Sequence, residues 1–245
     1  MVLADDVREF RAGCSALGIA PGPGQVEQFE IYYSELALWN SRFNLTAITS
    51  REGVFTRHFL DSLSLWLALR ELPAGANVTL LDIGSGAGFP GLPLKIIFDQ
   101  INIVLLEATG KKVKFLEYIV PRLGLSGVEV ILGRSEEMAH LPRHRESYDV
   151  VVARALAALP ALAELSLPFC RVGGIFVAMK KGEIKPEMMA AEKAVRLMGG
   201  SFRRQLKVDL PGLEDGRSLV IYNKRASTPG GYPRRSGLPA KCPLI

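Results

Sequence analysis

What this chain has little of narrows it first. Three cysteines, Cys14, Cys170 and Cys242, stand far apart in 245 residues. An odd, scattered set gives neither a disulfide framework nor a thiolate zinc site. Histidine is as sparse, with His58, His140 and His144 alone, so no metal centre is expected. No apolar run reaches the ~18 residues needed to cross a bilayer. The opening MVLADDVREF carries acids where a secretory signal carries bases followed by an apolar stretch. The expectation is a soluble, cytoplasmic protein with no membrane partner and no metal. Acids are missing most pointedly from the end: residues 222–245 hold five Lys/Arg and no Asp/Glu, whereas residues 1–77 are net negative. Such a tail is either a plain solvated end or a contact to phosphates.

Against those absences the overall composition is ordinary, 48% hydrophobic and 22% charged, as in globular domains. Leu3, Val7, Phe10, Cys14 and Leu17 recur at alternating spacings of four and three, and the pattern resumes after PGPG with Val26, Phe29, Tyr33 and Leu36. Both stretches predict amphipathic helices. A third stretch, 53–71, is apolar nearly all round and predicts a helix buried against the following domain. LPAGANV at 72–78 predicts a break. From residue 79 the rhythm changes: TLLDI (79–83), NIVLL (102–106), VEVIL (128–132), DVVVA (149–153) and GIFVAM (174–179) alternate with helical stretches. Short buried strands separated by helices predict a parallel sheet. Runs at 203–209 and 217–223, joined by LPGLEDG without a helix, predict an antiparallel pair. The fold class expected is therefore α/β: five parallel strands closed by an antiparallel pair make the seven-stranded mixed sheet characteristic of class I (Rossmann-like) methyltransferases, here with an N-terminal helical extension. The expected division is a helical cap over 1–75, a methyltransferase domain over 76–225 and a basic Pro/Gly-rich arm over 226–245, extended rather than helical.

The first strand ends in Asp82, followed by Gly84, Gly86, Gly88 and Gly91. Glycine permits a sharp turn and close approach of a ligand to the backbone, and ligands of parallel sheets bind beyond the carboxyl ends of the strands. The turn alone leaves open a dinucleotide enzyme, which also places an acid about twenty residues on; Glu107 ends the second strand here. Two details favour S-adenosylmethionine: the spacing G-x-G-x-G-x-x-G behind Asp82, and Pro90 and Pro93, which leave no clean helix N-terminus for a pyrophosphate. Glu107 can accept both ribose hydroxyls of either cofactor. Ser135 and Glu136, after the third strand, are placed to meet an adenine edge or to cap a helix.

After the fourth strand comes VVARALAAL. It lacks the D/N-P-P-Y clamp of amino-group methyltransferases and the Pro-Cys nucleophile that pyrimidine C5 demands. Arg154 stands there instead. An acceptor needing neither proton removal nor covalent activation fits, and the N7 lone pair of guanine is one. Catalysis then rests on alignment, worth roughly 7–11 kcal/mol when geometry is good. His58 and Asp61, three apart with Ser62 next, share a helix face and could equally hydrogen-bond to each other at a domain junction.

NLTAITSREGVFTRHFLDSL (44–63), GSGAGFPG (84–91), the Lys-Lys after LLEATG, ARA (153–155), MKKG (179–182) and YPRRSGLPAKCPL (232–244) occur in that order. Together they resemble the RsmG (GidB) family, bacterial enzymes that methylate guanine N7 in small-subunit ribosomal RNA, over residues from about 25 to 245. The resemblance implies cofactor contact by Gly84 and Phe89, by Glu107 with Ala108, Thr109 and Gly110, by Ser135 with Glu136, and by Arg154. It places Arg57, His58, Asp61 and Ser62 where the cap meets the cofactor pocket, with positioning roles for His58, Asp61 and Arg154. Lys111, Lys112, Lys180, Lys181, Arg234 and Arg235, with Arg57, are the candidates for RNA phosphate. MKKG carries one lysine more than the family's usual Lys-Gly, leaving open which lysine faces the site. The expected partner is small-subunit ribosomal RNA or the 30S particle, met by a monomer. Two rival readings share the scaffold: a small-molecule methyltransferase, and a non-catalytic RNA-binding or assembly factor.

Overall fold

A computed structural model describes residues 5–70 and 78–245. Most of the expected break at 72–78, the expected boundary at residue 75, and Leu3 fall outside the described residues. Helix α1 (Asp5–Ala16) and helix α2 (Pro23–Phe43) form where the apolar spacing predicts. Proline in the first turn starts α2, where a missing N–H costs nothing. Asn44, left-handed at φ 49°, ends it by returning its N–H to Asn40 O.

The third helix is not the continuous one expected. It is α3 (Arg51–Val54), a π-helical turn over Phe55–Leu60, α4 (Asp61–Leu63), a bend at 64–65 and α5 (Trp66–Leu69). Ser50 caps the start, its hydroxyl accepting from Gly53 N–H. Periodicity misses this because Phe55, Phe59 and Leu60 are buried under any helical winding. Wide π turns are frequent at functional sites. Here the two side chains that reach the sheet, His58 and Asp61, come from that turn and the residue after it.

The sheet comprises β1 (Thr79–Ile83), β2 (Asn102–Glu107), β3 (Val128–Leu132), β4 (Tyr148–Arg154), β5 (Cys170–Lys181), β6 (Gly200–Lys207) and β7 (Arg217–Lys224). Its order is β3-β2-β1-β4-β5-β7-β6, with β5/β7 and β7/β6 antiparallel and the other pairings parallel. Strand order reverses between β1 and β4, and the ladders Ile83↔Leu106, Glu107↔Leu132 and Ile83↔Ala153 bring four strand ends to one edge. Helices α6 (Gly91–Ile97), α7 (Gly110–Arg122), α8 (Ser135–Met138), α9 (Leu159–Ser166) and α10 (Lys185–Leu197) make the connections, and one-turn α11 (Leu238–Lys241) lies near the end. The arm was expected to hold no helix; Gly237 at φ 81° and Pro239 in the first turn let one form.

The helical cap and one face of the sheet share a single core. Phe10, Phe29, Phe55 and Phe59 interlock with ring centroids 4.9–5.5 Å apart, and the cluster continues through Phe89 and Leu105 to Val150 and Val177. Edge-to-face packing of this kind adds to what burial alone supplies. The opposite face packs Leu81, Val151 and Phe176 against α9 and α10.

Candidate active site

The glycine turn is built from positive-φ positions, Gly84 at 67°, Gly86 at 61° and Gly88 at 98°, where a Cβ is costly. Most of its N–H groups are already spent within the protein. Gly84 and Ser85 donate to Leu106 O, Gly86 donates to Glu107 Oε2 at 2.9 Å, Gly88 and Phe89 donate to Ser85 O, and Gly91 donates to Asp82 Oδ2 at 2.9 Å. A dinucleotide turn needs such donors for pyrophosphate. This turn therefore fits a cofactor with a ribose diol and no phosphate.

Glu107, 5% exposed, accepts from Gly86 N–H and, at 2.8 Å, from Thr109 N–H. Each carboxylate oxygen keeps a lone pair for a ribose hydroxyl. A Cβ on Gly86 would meet only Gly84 O, at 3.9 Å, and a Cβ on Gly110 would meet nothing, so backbone is open for contact on both sides of Glu107. Asp82 lies under the turn, fully buried, with Oδ1 unpartnered. Burial pushes its carboxyl up to about 7, against the opposing pull of the Gly91 N–H and Arg154. Residues Ala108 and Gly110 are exposed and Thr109 partly so, while Ser135 is buried at the start of α8. Glu136 already accepts from Gly237 N–H of the arm at 2.7 Å. Phe89 is 5% exposed, stacked on His58 at 4.4 Å with Arg154 over its ring at 5.3 Å. Any contact it makes with a cofactor is through its backbone or ring edge.

Arg154 is where the cap and the sheet meet. Its guanidinium donates to Asp61 Oδ2 at 2.8 Å, to His58 Nδ1 at 3.0 Å and to Arg57 O at 3.3 Å. A guanidinium has no acceptor, so His58 Nδ1 receives the bond and the ring proton sits on Nε2, facing Thr46 Oγ1 at 2.8 Å. Burial, reinforced by Arg154, lowers His58 to about 3, and the ring is neutral at pH 7. His58 and Asp61 converge on Arg154 rather than on each other. Ser62 Oγ donates to the His58 carbonyl, a local helical bond.

Sequence reasoning missed Arg217, at the start of β7. It meets Asp61 Oδ1 at 2.7 Å and Asp215 at 2.9 Å, so Asp61, 3% exposed, is shared by two arginines. The only sequence signal is a charged residue opening an otherwise apolar strand. Tyr32 was missed as well: fully buried in α2, it donates to Ala87 O and braces the glycine turn from below. Both MKKG lysines line one cavity beside Arg154, of about 340 Å³, with Arg57, Ala155 and Met179 among its walls. Lys180 is tied to Glu187 at 2.9 Å, and the more exposed Lys181 to Asp215 at 2.8 Å.

Arg234 is not the free cation expected. Its guanidinium grips Glu164, itself 0% exposed, at 2.7 Å, and its N–H bonds the same carboxylate at 2.8 Å. A buried carboxylate takes the best cation within reach, and this arginine pins the arm to α9. Arg235 is exposed, as is Lys111 at the start of α7, whereas Lys112 is partly buried. Among the described residues no three His, Cys, Asp or Glu side chains are grouped to hold a metal ion, and no helix is long and apolar enough to cross a membrane.

The profile of one family, GidB, rRNA small subunit methyltransferase G, matches residues 25–208. The chain belongs to this family. A methyltransferase G relative from Dehalococcoides mccartyi strain CBDB1 is 54% identical over 239 residues, covering 98% of this chain and 100% of the relative. One from Roseiflexus castenholzii is 48% identical over 221 residues, 90% and 92% of the two chains. Among solved structures, the [4+2]-cyclase SpnF aligns with TM-score 0.55 at 16% identity over 85% of this chain and 98% of its own. A putative methyltransferase from Haloferax volcanii in complex with the activator Trm112 aligns at 0.54 and 15%, covering 79% and 97%. Identities that low show the fold alone; the methyltransferase assignment rests on the family. For this GidB member, Gly86, Glu107 and the backbone after Glu107 are the groups that would hold the cofactor.

Proposed function

We propose that this chain methylates N7 of a guanine in 16S ribosomal RNA, in the cytoplasm, with S-adenosylmethionine as donor. The cofactor supplies an electrophilic methyl on a sulfonium, to which a lone pair of the acceptor bonds as the carbon–sulfur bond breaks. The observation that carries the choice of acceptor is that every candidate base at the strand ends is already committed. His58 is neutral with both ring nitrogens engaged, Asp61 is shared by two arginines, Glu107 holds two backbone N–H groups, and Asp82 lies sealed under the turn. Cys170, the only cysteine near β4, is fully buried and pushed up to about 12, which leaves no thiolate nucleophile.

Guanine N7 needs neither a base nor a nucleophile. Its methylation leaves a cationic base and moves no proton, so the protein's work is to hold donor and acceptor in line, an effect of roughly 7–11 kcal/mol. Arg154 is fixed by two side chains of the cap for that purpose, and the exposed bases Arg57, Lys111 and Arg235 are available to phosphate. The test is to treat small-subunit RNA with the protein and cofactor, then with borohydride and aniline. Strand scission at one guanine is expected; methyl incorporation without scission would refute the acceptor.

A further inference from the structure

The cavity beside Arg154 has walls of two kinds. Ile48, Ala155 and Met179 give apolar surface, and Arg57, Lys180, Lys181 and Arg217 give charge. Most of that charge is neutralised within the protein. Arg154 and Arg217 share Asp61, Lys180 has Glu187, and Lys181 has Asp215. Arg57 differs. Its side chain is exposed, and among the described residues no carboxylate is paired with it. The cavity also has a definite place in the sheet. The cofactor groups lie at the ends of β1, β2 and β3, whereas the cavity lies at the ends of β4, β5 and β7. Arg154 stands between the two halves. Ala155, immediately after it, is held at φ 52°, a backbone strain that persists only where the surroundings enforce it and that clusters at binding sites.

We propose that this cavity is the acceptor subsite: an unstacked guanine nucleotide enters it with its base against Ile48, Ala155 and Met179, and the Arg57 guanidinium grips its phosphate. The inference rests on the ribosomal RNA reading above and names the substrate's place within it. Bases of single-stranded RNA are taken by their flat faces on apolar or planar side chains, with the backbone held by cations. An arginine fork matches two phosphate oxygens at once, which a lysine cannot do.

The test uses the whole protein with 16S RNA and 30S particles, and three variants: Ala155→Phe, which fills the cavity from an exposed position, Arg57→Ala and Arg57→Lys. Ala155→Phe is expected to lower kcat/KM at least a hundredfold while Tm stays within about 3 °C and the Kd for S-adenosylmethionine within twofold of wild type. Should it fail to fold, Ala155→Leu takes its place. Arg57→Ala is expected to raise KM for RNA about tenfold with kcat retained, and to flatten the plot of log affinity against log salt by about 0.7, one phosphate contact on single strands. Arg57→Lys should recover the salt slope but only part of the KM. Wild-type rates in the Ala155 variant would overturn the assignment, as would a lost cofactor affinity there, which would give the cavity to the donor. Unchanged KM and salt slope in Arg57→Ala would remove the phosphate anchor. If the wild-type protein leaves no N7 methyl, the functional reading fails, and the salt slope of Arg57→Ala still decides whether RNA occupies this mouth.

Discussion

Asp82 and His58 titrate in opposite senses. The folded protein holds the Asp82 carboxyl at about 7 against 3.8 for an ordinary aspartate. Such a group contributes stability that is complete below 3.8 and is lost as pH rises through 7. His58 is held at about 3 against 6.5, so its contribution is present above 6.5 and is lost as pH falls toward 3. At 1.36 kcal/mol for each pH unit, these amount to about 4 kcal/mol for Asp82 and about 5 kcal/mol for His58. Between pH 4 and 6.5 the two slopes nearly cancel, and the wild-type curve conceals both.

Single substitutions separate them. In Asp82→Asn an amide that cannot ionise replaces the carboxyl and can still accept from Gly91 N–H. Its stability relative to wild type should grow by about 4 kcal/mol from pH 4 to pH 7. In His58→Gln the difference from wild type should move the other way, the variant being favoured by about 5 kcal/mol more at pH 3 than at pH 7. Urea unfolding at unit pH intervals gives both difference curves. Flat curves, within about 1 kcal/mol over the window, would show that neither group is shifted and that the argument from burial is wrong.

The glycine turn and the arm offer two further tests. Gly88→Ala would bring a Cβ within 2.5 Å of Leu92 Cδ1 at φ 98°, and should cost about 2–4 kcal/mol of stability; Gly86→Ala has room for its methyl and should cost about 1–2 kcal/mol while weakening S-adenosylmethionine at least tenfold by calorimetry. Equal effects of the two on cofactor affinity would contradict an open face at Gly86. Glu164→Gln leaves Arg234 without its buried partner, a loss of about 3 kcal/mol, and should expose the arm to trypsin at Arg235 and Lys241; an unchanged cleavage rate would mean that Arg234 does not hold the arm.

The sequence made the sheet legible because its strands are short, apolar and separated by helices with clean breaks. All seven runs appear where expected, with β5 reaching back to Cys170, a start hidden by the Arg171–Gly174 stretch. The candidate cofactor edge was placed for the same reason: strand ends can be read, and Asp82, Glu107 and Arg154 stand at or near them. The interruption of the third helix was not legible, since a segment buried on all sides leaves no periodic trace. Nor were partners far apart in the chain. Arg234 finds Glu164 seventy residues away, and Asp61 finds Arg217 across most of the chain. Local pattern carries no information about such pairs, which is why Arg234 looked like a free cation and Arg217 like the start of a strand.

Asp61 has a bearing on how this protein can be taken apart. Among the described residues it is the one carboxylate paired with both Arg154 of β4 and Arg217 of β7, and it comes from the cap. A chain begun after the cap would keep every strand of the sheet and the whole glycine turn. At their carboxyl edge, however, two guanidiniums would face each other with nothing between them, and the aromatic core beneath Phe89 would open to water. Cap and sheet are thus one cooperative unit.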